Sequence, residues 1–160
     1  GFMVGRDAEQ SGIIRSGAKL VNAVSNSIVP KLTVIVGNSF GAGNYALCGK
    51  AYDPVFITAW PNAKYSVMGA DQAADVLFSI QKRAAERLGK HLDHDELQGM
   101  KQKINERYRE HMDIRYGAAR GWVDAIIAPH RTRDILIKQL DLVRNWKANS
   151  DRFHTGVIQV

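Results

Sequence analysis

The sequence predicts an α/β layer structure. An apolar, β-branched run, Leu32-Thr-Val-Ile-Val36, leads into a glycine-rich turn and a helix. Two further short apolar runs follow at residues 55–59 and 65–68, and stretches of helical periodicity lie between and beyond them. Strand, helix, strand pair and helix in that order argue for helices layered on a sheet.

The opening Gly1-Phe-Met-Val-Gly-Arg-Asp7 reads as a glycine-bounded loop, with Asp7 placed to cap the helix behind it. Ile13, Ile14, Ala18, Val21 and Val24 recur at helical spacing and predict one helix over residues 8–26, lying on the sheet. Pro30 ends the connection, and the strand over 32–36 is apolar enough for a sheet covered on both faces. A helix through 44–48 is expected to stop near Gly49. Residues 55–59 and 65–68 form a strand pair turned by Trp60-Pro-Asn-Ala63. Gly69-Ala-Asp71 caps a helix over 72–88, and the polar, charged stretch from Gly89 to His111 predicts a second helix, packed loosely or against a partner. Gly117-Ala-Ala-Arg-Gly-Trp122 then precedes the apolar Val123-Asp-Ala-Ile-Ile-Ala128 and Pro129. A final helix over 133–147 carries its apolar face on Leu136, Leu140 and Val143, and the tail Phe153-His-Thr-Gly156 reads as extended.

The chain of 160 residues fits one domain able to bury a core, and its 45% apolar content argues against disorder. A formal charge of +6 suits an anionic partner such as a phosphorylated ligand. It does not point to nucleic acid, because the basic residues are spread along the chain and mixed with acids, as in Lys101-Gln-Lys-Ile-Asn-Glu-Arg-Tyr-Arg-Glu110. The single cysteine, Cys48, excludes an internal disulfide and a thiolate-clustered zinc site, and is read as a small buried side chain in a reducing compartment. No stretch approaches the roughly 20 apolar residues that span a bilayer, so no membrane role is expected. The chain opens on glycine, inside what reads as a structured turn, which predicts a segment of a longer protein.

The most informative stretch is Gly37-Asn-Ser-Phe-Gly-Ala-Gly-Asn-Tyr-Ala-Leu-Cys-Gly49. A strand that ends in such a turn and opens a helix presents unpaired main-chain N–H groups at the positive end of the helix dipole. There a carbonyl oxygen acquiring negative charge is stabilised without any side chain. Taken alone, Gly41 to Gly43 fits a tight turn that lets a helix pack closely on a sheet somewhat better than it fits that role.

Other motifs add to it. The succession Gly1-Phe-Met-Val-Gly5, Gly12-Ile-Ile-Arg-Ser-Gly-Ala-Lys19, Val29-Pro-Lys-Leu-Thr-Val34, Gly41-Ala-Gly-Asn-Tyr45, Ala59-Trp-Pro-Asn-Ala63 and Val67-Met-Gly69 resembles the carboxyltransferase β subunits of biotin-dependent acyl-CoA carboxylases. The resemblance covers nearly the whole chain in order and returns at Ala118-Ala-Arg-Gly-Trp-Val-Asp-Ala-Ile-Ile-Ala-Pro129. It implies a crotonase (ClpP-like) superfamily fold, with residues 1–160 forming an incomplete C-terminal carboxyltransferase domain and the N-terminal domain absent from the sequence. Gly-Ala-Gly-Asn-Tyr with Cys48-Gly49 behind it and Trp60-Pro-Asn62 further on is more like 3-methylcrotonyl-CoA or geranyl-CoA carboxylases than propionyl- or acetyl-CoA members.

The resemblance implies the biotin-side half of an active site that moves a carboxyl group from carboxybiotin to an acyl-CoA through an enolate. The isolated segment is expected to be inactive. The catalytic residues implied are Ala42 and Gly43, whose amides would bind the biotin carbonyl oxygen. The implied biotin- or substrate-binding residues are Gly1, Phe2, Gly5, Phe40, Gly41, Asn44 and Tyr45. Gly1 to Gly5 matches a biotin-side loop whose usual prolines are replaced here, and Phe2 reads equally as a core plug beneath it. Biotin would arrive on a partner subunit or domain, and no metal is expected in this chain. The implied partners are acyl-CoA, a biotin carboxylase and biotin carboxyl carrier subunit, and further β subunits in a hexamer, in the bacterial cytoplasm or the mitochondrial matrix.

Two readings compete. One is a stand-alone crotonase-type enoyl-CoA hydratase or isomerase, against which Asn62 stands where such hydratases carry a glutamate. The other is a non-catalytic module that only assembles subunits. His91-Leu-Asp-His94 with Asp95 and Glu96 reads as a solvated polar face before a metal site, and Trp122, Trp146, Tyr108 and Tyr116 as core and subunit contacts before a base-stacking platform.

Overall fold

The computed structural model describes residues 2–3, 5–89 and 93–145. Gly1, His91, Trp146, the expected end of the last helix at 147 and the tail Phe153-His-Thr-Gly156 lie outside the described residues. In chain order the elements are α1 (Arg6–Gln10), α2 (Ile13–Asn26), β1 (Leu32–Ile35), β2 (Asn38–Phe40), α3 (Gly41–Ala46), β3 (Phe56–Ala59), β4 (Lys64–Ser66), α4 (Ala70–Arg87), α5 (His94–Met112), α6 (Ile114–Ala119), β5 (Ala125–Ile126) and α7 (Thr132–Val143). Single 3-10 turns stand at Lys50–Tyr52 and Pro129–Arg131.

The strands form two parallel sheets, one ordered β1-β3-β5 and the other β2-β4. Ile35 faces Ala59, Ala59 faces Ile126, and Phe40 faces Ser66 across the ladders. The chain passes through the same two sheets twice: β1 runs on into β2 across Val36 and Gly37, and β3 runs on into β4 across Trp60 to Ala63. The two runs expected to pair with each other therefore do not. Each pairs with the strand that precedes the glycine turn, because parallel neighbours need a crossover and α3 with its following loop supplies it. The short polar strand β2 was not foreseen, since Asn38-Ser-Phe40 has neither the length nor the apolar alternation of a strand.

The central strand β3 is the one buried on both faces, with Ile57, Thr58 and Ala59 all at 1% exposure or less. β1, expected in that place, lies at an edge with Leu32, Thr33 and Val34 half-buried and Val36 exposed. Ile35, Ile57, Ala59, Ala63, Ile114 and Val123 form the core, with Tyr65 and Ala118 packed against it. At the end of β3 the Trp60 indole N–H donates to Thr132 Oγ1 at 2.9 Å, which ties the strand to the start of α7.

Three helices differ from expectation. The helix over 8–26 is two, broken at Ser11 and Gly12, where Gly12 has φ 94°, and Asp7 lies inside α1 while Gly5 precedes it. α5 packs on α4 as an antiparallel hairpin, Lys101 Nζ 2.6 Å from Asp75 Oδ1 and Asn105 Nδ2 donating to Asp71 Oδ1 at 3.0 Å. On α7 the residue that is buried is Gln139, and Leu140 is 56% exposed.

Asp113 ends α5 and caps α6. Its Oδ1 accepts the Arg115 backbone N–H at 2.8 Å, and the Arg115 guanidinium donates to both carboxylate oxygens at 2.8 and 2.6 Å. Those bonds hold its carboxyl at about 2, below the ordinary 3.8. The resulting stabilisation is present above the ordinary value and is lost as the pH falls through the folded one. Asp113→Asn is expected to melt below the parent at neutral pH, with the gap closing between 3.8 and about 2. Thermal unfolding followed by circular dichroism across that range checks this.

Candidate functional site

A groove of about 1020 Å³ opens beside the β2-β4 pair. Its walls come from segments far apart in sequence: Phe2, the turn at 40–43, Lys64, the loop from Val67 into the first turn of α4, and Arg109 and Met112 on α5.

The turn is built by main-chain geometry. Phe40 ends β2 with extended backbone, and the chain enters α3 through Gly41 at φ 55°, a conformation that favours glycine. Space also requires glycine there, because a Cβ would stand 3.2 Å from the Val67 carbonyl oxygen. No side chain caps α3, and among the described residues no carbonyl or side-chain oxygen accepts the amides of Ala42 and Gly43. First-turn amides have no partner within their own helix; both residues line the groove, and Gly43 also borders the space behind the turn that Asn44 and Cys48 line.

The far end of α3 is closed by a Schellman pair, with the Cys48 N–H donating to the Tyr45 carbonyl at 3.0 Å and the Gly49 N–H to the Asn44 carbonyl at 2.8 Å. The left-handed residue is Cys48, at φ 64°. The helix was expected to stop near Gly49, which instead has φ −67° and is required for room, since a Cβ there would collide with Asn44 Oδ1 and lie 2.7 Å from the Asn44 carbonyl oxygen. Cys48 is buried, as expected, and burial pushes its thiol up.

The structure brings together Phe2, Phe40, Gly41, Ala42 and Gly43 of the expected site residues. Phe2 also packs on α2, where a Cβ at Gly17 would stand 3.0 Å from its Cε1. Three others are placed elsewhere. Gly5 precedes α1 at φ 117°. Asn44 is 8% exposed, its Oδ1 accepting the Ser39 hydroxyl at 3.1 Å behind the turn. Tyr45 is exposed and stands edge-on to Tyr52 with ring centroids 6.4 Å apart. Gly1 is outside the described residues. Lys64, Met68, Arg109 and Met112 were missed, because nothing local in the sequence says that β4, α4 and α5 meet at the turn.

Among the described residues, Asp71 is the one carboxylate lining the groove. Asn105 Nδ2 donates to it at 3.0 Å, Arg109 Nη2 stands 3.6 Å away, and the Asn105 bond, helped by Arg109, holds its carboxyl below the usual range. Of the other constellations, Asp93 and Glu96 form a capping box at the start of α5. Trp122 packs against Tyr65 and Tyr116 at 5.7 and 6.1 Å between centroids, and the Tyr108 hydroxyl accepts the Ser66 hydroxyl at 3.1 Å.

Residues 1–156 match the carboxyl transferase domain family. The chain is similar to the probable mitochondrial methylcrotonoyl-CoA carboxylase beta chain of Drosophila melanogaster, 46% identical over 153 residues that make up 96% of this chain and 26% of the relative. Among solved structures it resembles the beta subunit of geranyl-CoA carboxylase from P. aeruginosa, with a TM-score of 0.75 at 37% identity over 98% of this chain and 32% of the other. It also resembles the transcarboxylase 12S subunit, solved as a hexamer assembly with hydrolysed methylmalonyl-coenzyme A bound, with a TM-score of 0.78 at 31% identity over 100% of this chain and 29% of that one. The fold is thus the crotonase-like α/β fold of carboxyltransferase domains, and the chain spans about a quarter to a third of the length of these relatives.

Gly41→Ala is expected to lower stability by about 1 to 2 kcal/mol, from the left-handed backbone together with displacement of the Val67 carbonyl. Urea unfolding midpoints of the two proteins measure it.

Proposed function

The chain belongs to the carboxyl transferase domain family, and on that premise we propose that it supplies the biotin-side half of an acyl-CoA carboxyltransferase, moving a carboxyl group to a 3-methylcrotonyl-CoA-like thioester through an enolate. In this reading it is part of the C-terminal domain of a longer subunit that works in a hexamer of β subunits with a biotin carboxylase and carrier partner. The observation that carries the reading is the pair of adjacent amides of Ala42 and Gly43, without acceptors among the described residues, in residues that line a groove of about 1020 Å³.

The residues present suit biotin. Phe2, Phe40, Val67 and Met112 give apolar walls for a ring system, and the turn gives two adjacent main-chain donors. Biotin, brought by its partner, supplies the carboxyl group in a transferable form. Ala42 and Gly43 stabilise the negative charge that develops on the carbonyl oxygen they hold, and do so best where the groove excludes water. Lys64 and Arg109 add positive potential along the wall.

Asp71 argues against the hydratase reading. A carboxylate kept ionised by an amide donor and a guanidinium is a weak base, and among the described residues no second carboxylate lines the groove.

Gly43→Pro removes one donor at a first-turn position where a helix tolerates proline. In the full-length subunit assembled with its biotin-bearing partner, kcat for carboxyl transfer is expected to fall about a hundredfold, with the KM for acyl-CoA little changed. Steady-state kinetics over a panel of acyl-CoAs tests both donor and substrate. An unchanged kcat, or hydration of crotonyl-CoA by the parent, would overturn the reading.

A further inference from the structure

A helix of six residues is far too short to hold its own shape in water, where about 12 to 15 are needed even for good helix formers. The aim of the Ala42 and Gly43 amides must therefore be set from outside α3. The Thr33 hydroxyl holds the far end to β1 by donating to the Cys48 carbonyl at 2.8 Å, and three further ties pass through Asn44. Its Oδ1 accepts the Ser39 hydroxyl at 3.1 Å, which joins the helix to β2, itself in register with β4 through Ser39 and Tyr65. Its carbonyl accepts the Gly49 N–H at 2.8 Å, which closes the far end. Its side chain fills the room beside Gly49 that a Cβ would need. Asn44 is buried, follows Gly43 directly, and faces away from the groove into the space behind the turn, where Ser39 and Cys48 also lie.

Resting on the transferase reading, we propose that Asn44 is a positioning residue: with Ser39 and Gly49 it clamps α3 from behind and holds the Ala42 and Gly43 donors on the oxygen they stabilise. Asn44 does not bind substrate itself. A misplacement of reacting groups by about 1 Å can cost about a hundredfold in rate, so loss of the clamp acts on turnover before it acts on binding.

The test uses the full-length subunit with its biotin-bearing partner, measuring kcat per active site, the KM for acyl-CoA and the melting temperature. Asn44→Ala is expected to lower kcat by about tenfold to a hundredfold with KM unchanged, and Ser39→Ala by a smaller factor. The double variant should be no slower than Asn44→Ala alone, because the two side chains act as one unit. Ser39→Thr, which keeps the hydroxyl, should recover most of the rate. If Asn44→Ala does not fold, the contrast between Ser39→Ala and Ser39→Thr decides. A lower melting temperature with kcat unchanged in Asn44→Ala and Ser39→Ala would overturn the proposal. Should Gly43→Pro be slow while those variants keep their kcat, the clamp alone fails; should Gly43→Pro be silent, the transferase reading fails first.

Discussion

The main chain between Phe40 and Gly49 has to meet two opposing demands, leaving two amides without partners and keeping them still. Unpaired N–H groups are costly when buried. Here they open on a groove, so water satisfies them when nothing else does. Rigidity then has to come from the other end of the segment, where Cys48 takes a left-handed conformation and Gly49 accepts the pressure of Asn44. Two glycines serve opposite ends of this arrangement for different reasons. Gly41 is needed for its backbone angle and for the nearness of the Val67 carbonyl, while Gly49 has an ordinary angle and is needed only for space.

The sheets transmit this local geometry to the groove. Because β1 continues into β2 and β3 into β4, the parallel ladder that aligns Ile35 with Ala59 also sets Phe40 beside Ser66. The turn after β2 is thereby delivered to the loop after β4. α4 begins from that loop, and α5 folds back along α4 so that Arg109 and Met112 reach the same place. The buried centre of the molecule, at Ile57, Thr58 and Ala59, lies one strand away from the residues that do chemistry in the proposed reading.

What could be read from the sequence was local. The apolar run at 32–36, the glycine-rich turn, the helix that starts behind Gly69 and the charged helix after Gly89 all follow from propensity, periodicity and turn chemistry, and the α/β class follows from their order, whereas Asp71, expected in a cap, lies inside α4 and accepts from Asn105. Pairing partners were not legible, since the runs at 55–59 and 65–68 look the same whether they face each other or an earlier strand. Ser11-Gly12 divides a predicted helix whose apolar spacing begins only at Ile13, so periodicity fixed nothing on the near side of the break. On α7 the periodicity singled out Leu140, yet the packed side includes Gln139. The turn at 40–43 was legible because its geometry is set by contiguous residues and a required glycine. Lys64, Met68, Arg109 and Met112 were not, because only the tertiary fold brings them to it. Asn44 falls between these cases: it is visible in the motif, but its burial and its bond to the Ser39 hydroxyl are tertiary facts.

The donors at Ala42 and Gly43 belong to peptide bonds, and a peptide N–H neither gains nor loses a proton over the range in which proteins stay folded. Acidifying or alkalising the solution leaves their electrostatic contribution as it was. No side-chain exchange at position 42, short of proline, can delete that residue's donor either. In the proposed reading, the element that stabilises charge is therefore constant, while the groove walls at Phe2 and Met68 are side chains that substitution can change.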